Sequence, residues 1–347
     1  MKKLFVRAYF QSNLGDDLFV LTLLRRYPEV TFYLYALGEN QNAFRGEPNA
    51  VLPNAWDRLR RKLTHVLRLP REEAFDGQGL DGIAAIGGSV FWEGAPLADL
   101  NGSTCLMGCN CEDSYSDAYR EKLAQALAGV HSCCFRDRHS YALFRQIPTV
   151  RQAPDVLYGW PARPMPCPGI GIGISLVGRK GVFQNEAARE DYYSTVAELC
   201  DLCAGQGIPV RLLGFCAPEG DGEAMEAVKR RVSNPGALSC TLYRGDPEEM
   251  LEQMNRCQAI LATRFHAMIL GWVLGKNVVP VIYSSKQTHV LEDAGFHGPL
   301  WNALAGERRT GQELLEMAQS QAGYLDIAHL RDESERQFAG LDVFLKG

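Results

Sequence analysis

The 347-residue chain contains no apolar run of the roughly 18 residues that a helix needs to cross a bilayer. It has no basic excess either. Its 36 Lys and Arg stand against 41 Asp and Glu, a net charge of −5, whereas nucleic-acid binding wants a basic surface. The Cys200 to Cys203 spacing has no second CxxC and no HxxxH to accompany it, so a four-ligand zinc site is not spelled out. No DxD-like dyad is placed to hold a metal with a nucleotide, and no metal or cofactor is expected. The amino terminus MKKLFVRAYF lacks an unbroken apolar core, because Arg7 interrupts it and no small-residue cleavage pattern follows. It reads as a first β-strand and not as a signal peptide. Eleven cysteines, an odd number, read as the reduced thiols of a cytoplasmic protein, each a small buried hydrophobe.

What is present is an alternation of strand and helix patterns, the mark of an α/β protein with parallel sheets. Strands are expected at Lys3–Phe10, Thr31–Leu37, Gly82–Ile86, Thr104–Gly108 and Ser132–Phe135, and then at Gly169–Leu176, Pro209–Phe215, Leu238–Tyr243, Ala259–Leu261 and Asn277–Tyr283. Between the two sets, Trp160–Pro168 carries prolines at 161, 164, 166 and 168, a composition suited to a stiff connector and a hinge. The hydrophobic content of 46% is enough for two cores. The arrangement expected is GT-B-like, with two Rossmann-like domains facing a cleft: residues 1–160, a linker at 161–168, residues 169–329, and a C-terminal helix at 330–347 that is a candidate to cross back to the first domain. Asp246-Pro247-Glu248-Glu249 spells a helix start, with a cap, a proline at the first position and a Glu three residues after the cap.

The densest chemistry lies between Ala259 and Phe296. A buried-strand run leads into Thr263-Arg264-Phe265-His266, then an apolar helix closed by Gly275, a second strand, Ser284-Ser285-Lys286, and a helix stopped at Gly295. In a parallel sheet both turns fall at the carboxyl edge, where open α/β folds place ligands. Two helix N-termini there favour negative charge. Arg264 adds a planar fork for phosphate or carboxylate, Lys286 a point charge, and His266 a proton donor. The pattern describes a pocket for a small, multiply charged anion. In the first half, Asn13-Leu14-Gly15-Asp16-Asp17 follows the first strand and opens a helix of about ten residues. There Asp16 either caps the helix or serves a ligand.

The segment ATRFHAM, followed by VVPVIYSSKQ and a helix ending EDAGF, resembles the C-terminal signature of the polysaccharide pyruvyl transferase family. NLGDD (Asn13–Asp17) is similar to that family's Asn-x-Gly-Asp-acid turn, IGGS (Ile86–Ser89) to its glycine-rich turn, RDRHSYALF (Arg136–Phe144) to its Arg-Asp-x-x-Ser helix start, and GIGISL (Gly171–Leu176) to the strand opening its second half. The chain departs from the pattern at Ile86, where many relatives have Gly, and at MGCNC (Met107–Cys111); both belong to the half expected to hold the acceptor.

The resemblance implies a cytoplasmic transferase of capsule or exopolysaccharide synthesis. It would move the pyruvyl group of phosphoenolpyruvate onto two hydroxyls of one sugar as a cyclic ketal, with phosphate release. It implies catalytic roles for His266, Arg264 and Asp16, and donor binding by Arg264, His266, Ser284, Ser285 and Lys286. Acceptor or cleft contacts would come from Asn13, Asp16, Asp17, Gly87, Gly88, Ser89 and Arg136. For His266, protonation of the donor's C3 and proton delivery to the phosphate both stay open. Arg136 is read either as a cleft residue or as a partner of Asp137 or another carboxylate, and the basic pair Arg179 and Lys180 as facing the cleft or only water. Two alternatives stand beside this: a GT-B glycosyltransferase using a nucleotide sugar, and a non-catalytic sugar- or phosphate-binding protein of the same fold.

Asn54–Arg71 has Trp56, Leu59, Leu63, Val66 and Leu67 on one helical face, with Arg58, Arg60, Arg61, Lys62 and Arg68 around them. It reads either as an amphipathic helix packed on the first domain or as a peripheral contact with the inner face of the membrane, which would suit a lipid-linked acceptor.

Overall fold

Short β-branched and apolar runs bounded by glycine and polar turns give thirteen strands among the described residues: β1 (Lys3–Arg7), β2 (Thr31–Leu34), β3 (Ala50–Val51), β4 (Gly82–Ile86), β5 (Thr104–Cys109), β6 (Ser132–Phe135), β7 (Val150–Gln152), β8 (Ile172–Leu176), β9 (Val210–Gly214), β10 (Leu238–Leu242), β11 (Ala259–Ala262), β12 (Asn277–Ile282) and β13 (Trp301–Asn302). The computed structural model describes residues 1–54, 56–57, 67, 79–88, 90–94, 97–161, 169–178 and 182–347. Ser89, Arg179 and Lys180, the Pro-rich segment beyond Pro161, and the amphipathic stretch from 54 to 71 apart from Asn54, Trp56, Asp57 and Leu67 lie outside the described residues.

The chain divides into two compact units. One comprises Met1–Gln11, Asp16–Gly159 and Arg331–Gly347; the other comprises Ser12–Gly15 and Trp160–Leu330. Each is built on one parallel sheet. The first has the order β3-β2-β1-β4-β5-β6-β7, the second β10-β9-β8-β11-β12-β13. Both follow the doubly wound Rossmann order, in which the strand sequence reverses beside the first strand and ligands collect at the carboxyl ends flanking that reversal. The reversal falls between β1 and β4 in the first unit and between β8 and β11 in the second.

In the first unit, Leu106, Cys109, Cys133 and Phe135 of the sheet pack against Leu123 and Leu127 of the helix Asp117–Ala128, and Phe135 stacks on Phe144 with ring centroids 5.5 Å apart. In the second, Ile174, Leu176, Leu212, Leu261 and Val279 face Tyr192, Val196, Leu199 and Cys203 of the long helix Glu186–Gly205. Where strands are buried on both faces, near-continuous apolar runs are the expected pattern, and β5, β8, β11 and β12 have it.

The C-terminal segment packs in the first unit, but not as one helix. Helical turns at Ala328–Ser334 and Ala339–Lys346 are separated by a tighter 3₁₀ turn at Glu335–Phe338. That turn aims Gln337 inward. Its Oε1 accepts the Gly108 N–H at 2.8 Å, and its Nε2 donates to the carbonyls of Ala153 at 2.7 Å and Pro154 at 3.1 Å. A buried amide needs such partners. The single C-terminal helix expected over 330–347 is interrupted by the turn that carries this anchorage.

Candidate functional site

In the second unit the turn after β11 is held by the end of β8. The N–H groups of Thr263 and Arg264 both donate to the buried Ser175 Oγ, each at 3.0 Å, and the Thr263 hydroxyl lies 2.8 Å from the Tyr192 hydroxyl. Gln287, in the first turn of the helix Ser285–Asp293, ties this turn to the next. Its Nε2 donates to the carbonyls of Thr263 at 3.2 Å and Val281 at 3.0 Å, and its Oε1 accepts the Tyr283 N–H at 2.9 Å. The two helix starts are therefore neighbours. Neither N-cap residue, Arg264 or Ser284, caps its helix through its side chain, so first-turn N–H groups keep their anion-binding capacity.

Ser284, Ser285 and Lys286 are half-buried there. Among the described residues no carboxylate pairs with Lys286. Arg264, read as a planar fork for phosphate or carboxylate, is paired with carboxylates of the chain. Only 7% exposed, it donates through Nε to Asp221 Oδ2 at 3.0 Å, through Nη2 to Asp221 Oδ1, and through Nη1 to Glu219. Burial opposes its charge, but the attraction and hydrogen bonds of Asp221 outweigh this and hold it above the ordinary arginine range.

Asp221 is itself fully buried at the start of the helix Asp221–Lys229, and its carboxylate accepts N–H bonds from Phe215 at 2.8 Å, Cys216 at 2.9 Å and Gly178 at 3.3 Å. Burial pushes this carboxyl up, against the pull of Arg264 and the Cys216 and Phe215 N–H groups. Asp221 and Glu219 both pair with Arg264, so the edge is less positive than Arg264 and Lys286 alone imply.

The motif residues Asn13, Leu14 and Gly15 belong with this second unit, although Asn13 was read with the first half. Asn13 bridges to Cys216, Leu14 N–H donates to the Phe215 carbonyl at 3.1 Å, and Gly15 N–H donates to Asn13 Oδ1 at 3.1 Å. Gly15 lies directly against His266. A Cβ built on Gly15 would stand 1.7 Å from His266 Nδ1 and 2.4 Å from Cγ, so the imidazole fills the space that any other residue's side chain would need. Phe265 meets the same ring edge-on, with centroids 5.0 Å apart.

In the first unit Asp16 and Asp17 lie within the first turn of the helix Leu14–Arg26 and are buried, so Asp16 is not its N-cap. The helix runs to thirteen residues, longer than expected. Across the β1/β4 reversal, the Cβ that Gly87 lacks would lie 3.2 Å from Asp16 Oδ1, and Gly87 adopts φ 132°, a conformation that favours glycine. A Cβ on Gly88 would sit 2.5 Å from Arg136 Nη2. The guanidinium of Arg136 is 4% exposed and donates to Asp155 Oδ2 at 3.1 Å and Asn110 Oδ1 at 2.7 Å. Its carboxylate partner is therefore Asp155, while Asp137 instead caps the helix Arg138–Phe144 by accepting the Ser140 N–H at 2.6 Å. The Ser140 hydroxyl in turn accepts the Cys111 N–H at 2.8 Å.

Sequence reasoning missed Asp221, Glu219, Asn110 and Asp155. A signal for the first two was present in Cys216-Ala-Pro-Glu-Gly-Asp-Gly, an acidic Gly/Pro turn just past a buried strand. The ten described cysteines are free, and all but Cys240 are buried; burial pushes Cys105 and Cys257 up to about 11 and Cys216 up to about 12. Cys240 departs from the expected buried role because β10 is the edge strand of its sheet. No described helix is long and apolar enough to cross a membrane.

The profile of the family described as "Polysaccharide pyruvyl transferase" matches residues 13–285. No curated protein sequence matches the chain. Among solved structures, Anabaena HepE in complex with UDP and glucose is 12% identical with a TM-score of 0.53, over 100% of this chain and 98% of that one. The Methanocaldococcus jannaschii UDP-GlcNAc 2-epimerase in complex with UDP-GlcNAc and UDP is 7% identical with a TM-score of 0.61, over 100% of both chains. At such identities the likeness is one of fold: two Rossmann-like α/β units of GT-B type.

Proposed function

The chain belongs to the polysaccharide pyruvyl transferase family, and on that premise we propose that it transfers the pyruvyl group of phosphoenolpyruvate to two hydroxyls of one sugar, releasing phosphate and leaving a cyclic ketal. The observation that carries this reading is the seat of His266. Two motifs 250 residues apart in the chain meet there, the imidazole resting on Gly15 at the β8/β11 reversal beside two uncapped helix starts. Phosphoenolpyruvate bears a phosphate and a carboxylate on three carbons, so N–H groups, Lys286 and the Arg264 cluster offer complementary donors within a small volume.

The donor's C2 becomes electrophilic only after C3 takes a proton. His266 is the group to supply or relay it, since imidazole titrates close to working pH. The first sugar hydroxyl then bonds to C2 and loses its proton, the C2–O bond to phosphate breaks, and the second hydroxyl closes the ring as its proton leaves. Asp16, at the reversal of the first unit's sheet beside Gly87, is the candidate to accept a hydroxyl proton there. In this reading the donor binds to the second unit and the acceptor to the first, no metal takes part, and the acceptor is a glycan precursor, with a lipid-linked one suited to the basic stretch 54–71.

Thermal unfolding with phosphoenolpyruvate and with UDP-sugars separates this from nucleotide-sugar transfer, because a ligand stabilises only the protein that binds it. Protection by phosphoenolpyruvate, followed by phosphate release over a panel of galactoside, mannoside and N-acetylhexosamine acceptors, is the expected result. Protection by UDP-sugars alone would overturn the proposal.

A further inference from the structure

Arg264 is gripped by two carboxylates of different kinds. Asp221 is fully buried, takes both Nε and Nη2 of the guanidinium, and is itself fixed by three backbone N–H groups. Its two bonds to the guanidinium and the N–H groups behind it fix the orientation of the fork on that side. Glu219 pairs with the remaining nitrogen, Nη1, from a different setting. It ends the short 3₁₀ turn Ala217–Glu219, is followed by Gly220 in the left-handed region at φ 85°, and keeps 15% of its side chain exposed where Asp221 keeps none. Nη1 thus pairs with the more exposed of the two carboxylates, and a carboxylate of the chain already stands on it.

We propose that Glu219 is a built-in competitor for the oxyanion of the donor at Arg264, and so sets how tightly the donor binds. The proposal rests on the reading that an anionic donor binds at this edge. A dianionic phosphate or a carboxylate approaching Nη1 meets the like charge of Glu219 and must displace it or share the guanidinium with it; either costs affinity. The pair Asp221–Arg264 would stay intact through this exchange, because its two bonds and the N–H groups behind Asp221 do not involve Nη1. Phosphate and carboxylate share the chemistry that Nη1 recognises, and separate ligands tell the two ends of the donor apart.

The test is isothermal titration of the full chain, wild type against Glu219→Gln and Glu219→Ala, with inorganic phosphate, pyruvate and phosphoenolpyruvate in turn. Removing the competing charge is expected to tighten phosphoenolpyruvate about tenfold, equal to about 1.4 kcal/mol, and to tighten whichever of phosphate and pyruvate represents the end held by Nη1. Two variants guard against one that fails to fold, and circular dichroism checks each. Unchanged or weaker binding of all three ligands to folded variants would overturn the proposal and make Glu219 a positioning residue for Arg264. Tighter phosphate or pyruvate with no binding of phosphoenolpyruvate would uphold the competition and remove the donor assignment instead. If no ligand binds to any of the three proteins, both fall.

Discussion

Replacing Gly15 by Ala tests whether the placement of His266 is the purpose of the motif glycine. The new methyl would lie 1.7 Å from Nδ1, 2.4 Å from Cγ and 2.7 Å from Cε1, so the ring has to retreat by about 2 Å to reach ordinary van der Waals separation. Histidine can do this by turning about χ1, which makes the change cheap for the fold. Gly15 sits in the helix Leu14–Arg26 at an ordinary negative φ, where Ala in place of Gly gains about 0.5–1 kcal/mol, and an off-rotamer side chain costs a similar amount. Net stability should therefore stay within about 1 kcal/mol of wild type.

Catalysis should not be spared. Misplacing a reacting group by about 1 Å can cost about 100-fold, so turnover, read as phosphate release on a working acceptor, should fall by at least that factor, or about 2.7 kcal/mol. In Gly15→Ala/His266→Ala the methyl enters the space the ring vacates, so the double variant should be no slower than His266→Ala alone, a non-additivity that marks direct coupling. Turnover of Gly15→Ala within threefold of wild type would show that the seat of His266 on Gly15 does not matter to the reaction. A double variant much slower than His266→Ala would refute the coupling, because Gly15 would then act through something other than the ring.

Lys286→Ala should weaken phosphoenolpyruvate binding by about tenfold, the scale of one charge-assisted hydrogen bond, with melting temperature unchanged; equal affinities measured by calorimetry would remove Lys286 from the donor site. Arg136→Ala leaves Asp155 buried with its charge uncompensated, a loss of about 3–5 kcal/mol that urea unfolding would register, and a loss under 1 kcal/mol would show the pair to be dispensable. Asp221→Asn should lower turnover, because the fork loses its fixed orientation; kinetics identical to wild type would contradict that positioning. Iodoacetamide labelling followed by mass spectrometry should modify Cys240 first among the ten described thiols. Partial burial raises its pKa, so the labelling rate should still be climbing with pH above 9, and earlier modification of Cys200 or Cys216 would contradict their burial.

The strands that form the two sheet centres were legible because they are buried on both faces and end at glycine or polar turns, as in Gly82–Ile86 and Ser132–Phe135. The edge strands β3, β7 and β13 are two or three residues long, too short for any periodicity, and they exist through pairing with a neighbour already in place. Helix ends were legible where chemistry fixes them locally. Asp246 accepts the Glu249 N–H at 3.1 Å with Pro247 following the cap, and Gly275 and Gly295 take φ of 68° and 65° just past their helices. The break at Glu335–Phe338 was not, because its cause is the set of distant backbone groups that Gln337 reaches.

The same distinction explains what the sequence told about the site. Turn position, residue type and the sequence order of the motifs put Arg264, His266 and Lys286 at one sheet edge, since a parallel sheet leaves little choice about where strand ends lie. Side-chain pairing carries no such local code. Asp221 and Arg264 are 43 residues apart, and nothing near either one announces the other. A buried guanidinium must nevertheless find anions, so a motif arginine next to a buried strand predicts a carboxylate partner before it predicts a substrate. Whether it also touches substrate depends on which of its nitrogens those partners leave within reach. On the reading proposed above that nitrogen is Nη1, which pairs with Glu219, and the affinity of an anionic donor would then be a contest between two anions for one edge of the fork.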